Sequence, residues 1–272
     1  LQKMKNANEA IPMVTAYDYT SAVILERVNV PIILVGDSLG QVVMGFDSTI
    51  PVTMEDMIRH TQMVVRGTAR SHVVADLPFM SYQVNSDDAL RNAGRLIKEG
   101  GCQSVKLEGG GPSVEISHRI INAGIPVMGH LGLTPQSVNQ LGGYRVQGRT
   151  VRCAETLIEN ARSLEEAGIY ALVLELIPRE LAKIITESVS IPTIGIGSGP
   201  ECGGQVQVFH DLLGLYEDFS PKHARRYANL SNIIEESISH YISDVKSGSF
   251  PTRKESFTMD PNILSQILSR PL

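Results

Sequence analysis

The chain reads as an α/β protein and, within that class, as a (β/α)8 TIM barrel in a single domain over 1–272. Three observations predict this. Eight short runs rich in Val, Ile and Leu recur without polar alternation, the pattern of strands buried on both faces of a parallel sheet. Stretches of helical length separate nearly all of them, which is the βα repeat. Charged or polar residues close most of the runs at their C-terminal ends, so parallel strands would gather those groups at one mouth. A barrel of about 250 residues would use nearly the whole chain.

The elements follow in order. A first strand is expected over 12–17 and a short amphipathic helix over 19–28. The second strand, 31–36, is Pro31 followed by Ile32-Ile33-Leu34-Val35-Gly36, and it runs into Asp37. The Gly-rich, polar stretch 38–51 reads as a barrel-top loop. A helix over 54–70 opens after Thr53 with Asp56 three residues on, an N-cap arrangement. The third strand, 72–76, ends on Asp76. A helix over 86–99 starts with Ser86-Asp87-Asp88 and stops at Gly100-Gly101, which suits the helix dipole and a left-handed cap. The fourth strand, 104–107, carries Lys106, meets Glu108 and is followed by Gly109-Gly110-Gly111. A helix over 113–123 stops at Gly124, and the fifth strand, 126–130, ends on His130. A second barrel-top loop spans 134–149, and a helix over 150–167 stops at Gly168. The sixth strand, 170–176, sets Glu175 after Ala171-Leu172-Val173-Leu174. A helix over 178–189 opens with proline, acceptable in a first turn. Strands over 193–196 and 205–209 are joined by a very short link. A long helix is expected over 221–245, and the tail after Gly248, with Pro251, Pro261 and Pro271, is expected to pack outside the barrel or on a neighbouring subunit.

Composition excludes some functions. Net charge is −5, the pI is near 5.8, and there is no dense basic run, so nucleic acid and anionic membrane surfaces are poor partners. Cys102, Cys153 and Cys202 lie far apart with no C-x-x-C spacing, which points to reduced thiols in a cytoplasmic protein. Nothing reads as a signal peptide or a membrane span. The chain opens on Leu1, so further residues could precede it.

The strand-end residues carry the chemistry. Asp37 and Asp76, on neighbouring strands, would face each other and repel unless a proton or cation lay between them. Carboxylate oxygens favour a hard ion such as Mg2+ over zinc. Either aspartate could instead cap its following segment. Lys106 and Glu108 are two apart and point the same way. Inward at the mouth, Lys106 could hold an anionic carboxylate while Glu108 supports the metal; outward, they would be a surface ion pair. Glu175, at the edge of an apolar run, suits a proton acceptor, with a capping role as the alternative. His130 could bind a ligand, orient a carboxylate or be structural. Gly195-Ile196-Gly197-Ser198-Gly199 reads as a phosphate-binding turn or as tight packing at the rim.

Several blocks in order then carry a resemblance through most of the chain. They are Thr15-Ala16-Tyr17-Asp18-Tyr19, Val35-Gly36-Asp37-Ser38-Leu39-Gly40, Asp76-Leu77-Pro78-Phe79-Met80-Ser81-Tyr82, Val105-Lys106-Leu107-Glu108-Gly109-Gly110, Gly129-His130-Leu131-Gly132-Leu133-Thr134-Pro135-Gln136 and Ile194-Gly195-Ile196-Gly197-Ser198-Gly199. Together they resemble the ketopantoate hydroxymethyltransferase family. The resemblance implies a (β/α)8 barrel that moves a one-carbon unit from 5,10-methylenetetrahydrofolate to 3-methyl-2-oxobutanoate, giving 2-dehydropantoate in the first step of pantothenate biosynthesis. It implies one Mg2+ per subunit, with Asp37, Asp76 and Glu108 as the metal set, Glu108 acting directly or through water. By the same resemblance Asp37, Ser38, Asp76 and Lys106 look like the oxo-acid contacts and Glu175 like the proton acceptor. Chelation by Mg2+ would stabilise an enolate at C3, and Lys106 would add positive charge beside it. Large symmetric homo-oligomers, commonly decamers, are also implied. One departure is Cys202-Gly203-Gly204-Gln205, where the family usually has Asp-Gly-Gln; it leaves the six site residues untouched. A Mg2+-dependent 2-oxo-acid lyase or mutase of the related barrels is the alternative, against which the missing cysteine-bearing loop counts, and a non-catalytic binding barrel is a third reading.

Overall fold

Eight parallel strands close into a barrel in a computed structural model of the chain, which describes residues 1–216 and 221–270. The strands are β1 (Ile11–Thr15), β2 (Ile32–Val35), β3 (His72–Asp76), β4 (Ser104–Glu108), β5 (Val127–Gly132), β6 (Ala171–Glu175), β7 (Thr193–Ile196) and β8 (Gly204–Gln207). Each pairs with the next, and β8 returns to β1. Alternate residues serve different cores. Ile11, Met13, Ile32, Leu34, Val74, Met128, Ala171, Val173, Ile194 and Val206 form one buried cluster inside the barrel. The residues between them, such as Ile33, Val35, Val73, Val105, Leu107, Leu172 and Leu174, pack with the helices in a second cluster. Both faces are apolar, so the two-residue period is invisible in the sequence. Continued up the strands, the inward parity reaches Asp76, Lys106, Glu108, His130 and Glu175.

The bottom of the barrel is closed. The short helix Gln2–Asn6 sits there: Leu1 and Met4 pack on the inner cluster, and Lys5 Nζ donates to the Val189 and Ile191 carbonyls at 3.0 and 2.6 Å. Above it the Ser104 hydroxyl bridges His72 Nε2 and the Tyr170 hydroxyl, each at 2.8 Å. Open chemistry is therefore confined to the C-terminal ends of the strands.

Most helices fall where the sequence places them, with shifted ends. Thr53 and Asp56 form a reciprocal capping box on Met54–Arg66, which stops at Gly67 rather than at 70. Asn85 caps Ser86–Arg95, which starts where expected and continues into a π-helix over Leu96–Gly100. Pro178 is the N-cap of Arg179–Ser188 rather than a first-turn residue. No helix separates β7 from β8. The helix expected over 221–245 instead runs Leu230–Ser247. Residues 221–229 are held otherwise, with the Tyr227 amide donating to the Leu212 carbonyl at 2.8 Å. The chain divides into two compact units, Leu1–Tyr227, which holds the barrel, and Ala228–Leu272. The second holds Leu230–Ser247, a 3-10 turn Arg253–Glu255 and the helix Pro261–Leu268. Pro271 lies outside the described residues. Among the described residues no helix is long and apolar enough to cross a membrane. All three cysteines are free thiols.

Candidate active site

Strand register assembles the mouth. Asp76 pairs with Lys106, Glu108 with His130, and Gly132 with Glu175. Asp37 follows the end of β2 beside β3, and its backbone amide donates to Asp76 Oδ2 at 3.0 Å. Asp37, Asp76, Lys106, Glu108 and His130 are each no more than 5% exposed. The Glu175 side chain is 16% exposed. The inward reading of Lys106 and Glu108 is thus the observed one. Glu175 is placed by a close backbone approach at Gly132. That residue has φ +97°, and a Cβ there would lie 2.1 Å from the Glu175 carbonyl oxygen.

Lys106 Nζ lies 3.1 Å from Asp76 Oδ1 and 3.3 Å from His130 Nδ1. His130 sits between two carboxylates, Nδ1 3.4 Å from Glu108 Oε1 and Nε2 3.2 Å from Glu175 Oε2. Neither Asp76 Oδ1 nor His130 Nε2 makes a well-directed hydrogen bond. Those contacts are charge contacts, and both atoms retain capacity to bind. The Ser38 hydroxyl shares a 2.8 Å hydrogen bond with the Tyr17 hydroxyl. The structure therefore brings all six residues singled out in the sequence to one mouth, with His130 linking the Glu108 and Glu175 sides.

The electrostatics suit a cation. Four carboxylates, Asp37, Asp76, Glu108 and Glu175, face one lysine and one imidazole. With all four ionised and the imidazole charged, two negative charges would be left over for a cation to balance. Burial pushes the Asp37 carboxyl well above the ordinary carboxylate range, and the charges of Asp76 and Glu108 push it further. Burial raises Asp76 as well, against the pull of the Lys106 ammonium. For Lys106 burial acts downward, yet Asp76, Glu108 and Asp37 together hold it above its usual value. Burial and Lys106 also act downward on His130, but Glu108 and Glu175 outweigh them and lift it to about 9. Among the described residues no three His, Cys, Asp or Glu side chains converge as a ready-made ligand cage. Carboxylate oxygens are the donors Mg2+ takes, commonly one or two of them completed by water and substrate oxygens. Asp37 and Asp76 supply such a pair, and Asp76 Oδ1 is the oxygen without a directed donor.

Sequence reasoning assigned no role to the residues that hold these carboxylates in place. Gln136 is the principal one. Its Nε2 donates to Asp37 Oδ2 at 2.8 Å and to the Leu77 carbonyl at 3.0 Å, and its backbone amide donates to Glu108 Oε2 at 3.1 Å. Its Oε1 accepts from the Tyr82 hydroxyl at 2.8 Å and from Gln83 Nε2 at 3.1 Å. The Tyr82 hydroxyl in turn accepts from the Glu108 amide at 3.1 Å. Gln136 and Tyr82 both stand in the motif blocks, so the signal was present without a stated function. Gln136→Ala should lower the melting temperature by about 2–10 °C, since it strands several buried polar partners worth roughly 1–3 kcal/mol. An unchanged thermal transition would count against this account of the network. The rim glycines behave as packing elements. Ser198 Oγ donates to the Leu174 carbonyl at 2.7 Å, and a Cβ on Gly199 would lie 2.4 Å from Arg179 Cβ.

The chain is similar to known proteins over nearly its whole length. The family described as Ketopantoate hydroxymethyltransferase matches residues 1–253. A 3-methyl-2-oxobutanoate hydroxymethyltransferase of Carboxydothermus hydrogenoformans is 57% identical over 267 residues, covering 98% of this chain and 97% of the relative. Its counterpart in Chloroflexus aurantiacus is 56% identical over 268 residues, covering 98% and 95%. Among solved structures, 2,3-dimethylmalate lyase aligns with a TM-score of 0.59 at 16% identity over 98% of this chain and 93% of that one. Phosphonopyruvate hydrolase aligns with a TM-score of 0.59 at 10% identity over 96% and 90%. These two likenesses speak to the fold alone. The chain belongs to the ketopantoate hydroxymethyltransferase family.

Proposed function

From membership of the ketopantoate hydroxymethyltransferase family we propose that this chain transfers a hydroxymethyl group from 5,10-methylenetetrahydrofolate to 3-methyl-2-oxobutanoate, giving 2-dehydropantoate and committing carbon to pantothenate. The hydroxymethyltransferase activity itself follows from the family and from relatives so named over nearly the full chain. What supports the finer reading is one observation: a buried, negatively charged mouth in which a lysine, a histidine and four carboxylates face inward from neighbouring strands.

Asp37 and Asp76 would hold Mg2+, with Glu108 contributing directly or through water. Bound there, the ion would supply Lewis acidity to the keto oxygen of the oxo acid. Ser38 and Lys106 would bind the same substrate, Lys106 as the cation beside the oxygen that gains charge. Glu175, the most exposed carboxylate of the set, would take the proton from C3. His130, between Glu175 and Glu108, orients both carboxylates. The C3 electron pair freed by that transfer would bond to the methylene carbon as its bond to one folate nitrogen breaks, and the oxygen of water would then replace the second nitrogen. The proton taken by Glu175 and the one lost by water would pass to the two nitrogens, so tetrahydrofolate leaves.

The first half of this reaction can be read without folate. Wild-type protein with Mg2+ should exchange the C3 proton of 3-methyl-2-oxobutanoate in D2O, seen by proton NMR as decay of that signal and collapse of the methyl doublet. Exchange should need a divalent cation, disappear in Asp37→Ala and Asp76→Ala, and slow roughly 10²-fold in Lys106→Ala, the scale of losing one charge-stabilising donor. A flat signal from metal-loaded wild type would remove C3 deprotonation of the free oxo-acid complex. Exchange without product on adding 5,10-methylenetetrahydrofolate would keep the deprotonation and reject the transfer.

A further inference from the structure

Hydroxymethyl transfer, on whose assignment this inference rests, needs a second and larger substrate held above the first. The structure offers a surface for it. Two barrel-top loops, 38–51 and 134–149, each carry an exposed aromatic residue, Phe46 at 36% and Tyr144 at 48%. Aromatics are scarce here, 5% of the chain with no tryptophan, so two at one mouth are informative. The loops are tied together by a single amide. Gln41 Nε2 lies 3.3 Å from the Tyr144 hydroxyl and 3.4 Å from the Asp47 carbonyl, which sets the Phe46–Asp47 turn beside Tyr144. Gly40 lies under Phe46, its carbonyl accepting from the Phe46 amide at 2.8 Å. Gln41 lies in the short helix Leu39–Val42 directly after Asp37 and Ser38, so the bridge holds Tyr144 at the rim beside those residues; burial, with the charges of Glu175, Asp37 and Glu108, raises the pKa of its phenol. Asp37 just past β2, Glu108 at the end of β4 and Glu175 at the end of β6 surround one mouth, and the two loops rise from the same ends of β2 and β5. On the same loop Arg145 and Arg149 are exposed and form no ion pair among the described residues.

We infer that Tyr144, with Phe46 across the Gln41 bridge, is the platform on which the pterin ring of the folate donor stacks. A flat, bicyclic heteroaromatic ring gains from an aromatic face, as nucleobases do. The Gln41 amide pre-sets the Tyr144 ring, which lowers the cost of ordering it when the ligand arrives. Arg145 and Arg149 give the same rim the positive charge that the donor's glutamate carboxylates would meet. In this arrangement the ring that carries the one-carbon unit lies above the buried site where the oxo acid would be deprotonated.

Calorimetry with tetrahydrofolate on the full chain, loaded with Mg2+ and 3-methyl-2-oxobutanoate, tests this. Tyr144→Ala should weaken binding about tenfold or more, within the range measured for losing one aromatic stacking partner. Tyr144→Phe keeps the ring and loses only the hydroxyl, so its affinity should stay within about threefold of wild type. In turnover the Tyr144→Ala loss should fall on KM for 5,10-methylenetetrahydrofolate and not on KM for the oxo acid. Equal affinity of wild type and Tyr144→Ala would overturn the platform while leaving the transfer reaction standing. An equal loss in Tyr144→Phe would also overturn it, because the hydroxyl and its loop contact would then be what matters. Wild-type protein with no affinity for tetrahydrofolate would defeat the folate reading beneath it.

Discussion

Asp37→Ala should cost more than about 10²-fold in the Mg2+-dependent affinity for 3-methyl-2-oxobutanoate, with the barrel still folded. Outer-shell partners of a metal are worth roughly 10–100-fold in its affinity, and a direct ligand should exceed them. Asp37 is the cleaner of the two aspartates to remove. Its side chain is held by Gln136 rather than by the buried lysine, and burial with neighbouring negative charge already disfavours its ionised form without a cation. Removing it relieves that repulsion. Asp76→Ala should lose the same binding but also lower the melting temperature, because Lys106 Nζ, 3.1 Å from Asp76 Oδ1, would lose its nearest partner in the barrel interior. Asp37→Asn and Asp76→Asn keep the shape and separate charge from packing. Titration calorimetry with and without Mg2+ reads the affinity, and thermal unfolding reads the fold. Unchanged metal-dependent binding in both alanine variants would sink the metal assignment.

The barrel was legible because its strands are short, apolar and punctuated by the residues that matter. His72–Asp76 and Thr193–Ile196 are read to the residue from sequence. Strand-end places put Asp76, Lys106, Glu108 and Glu175 at one mouth, and two-residue spacing put Lys106 and Glu108 on one face without deciding which; the strand register turns that face inward. What stayed hidden depends on loops that return to the site. Gln136 lies in a 3-10 turn past β5, and only its fold brings its amide against Asp37, 99 positions earlier in the chain. The link from the Gln41 amide to the Tyr144 hydroxyl spans 103 positions and has no local signature. Capping was read where chemistry was local, as at Thr53. The helix start at Ser86 was also read from its polar first turn, while its cap was not named: Asn85 Oδ1 accepts from the Asp88 amide at 2.8 Å. The start of the helix Leu230–Ser247 was placed early because the stretch before it satisfies its backbone partly through long-range partners, which apolar periodicity does not report.

Glu175→Gln should lower turnover by about 10²–10⁴-fold, the usual contribution of a positioned general base, while KM for the oxo acid changes little. The amide keeps the volume and most contacts of the carboxylate but takes no proton at neutral pH. Geometry makes Glu175 the best candidate in the mouth. Asp76 Oδ2 accepts from the Asp37 amide while its Oδ1 lies in charge contact with Lys106, Glu108 accepts from the Gln136 amide, and Asp37 accepts from the Gln136 side chain. Among the described residues the Glu175 carboxylate has only the His130 contact at 3.2 Å, and it is the most exposed of the four. An acceptor at this edge can reach a substrate held by the deeper residues, whereas a carboxylate fixed by two donors would have to break them first. Proton exchange at C3 and overall turnover should fall together in Glu175→Gln, because both depend on the same transfer. A loss expressed only in kcat and kcat/KM, with oxo-acid affinity preserved, marks an interaction made in the transition state. Should exchange persist at the wild-type rate while turnover falls, the base lies elsewhere and Glu175 serves the later transfer. Near-normal values of both would return it to a structural role, that of holding His130 in its place between two carboxylates.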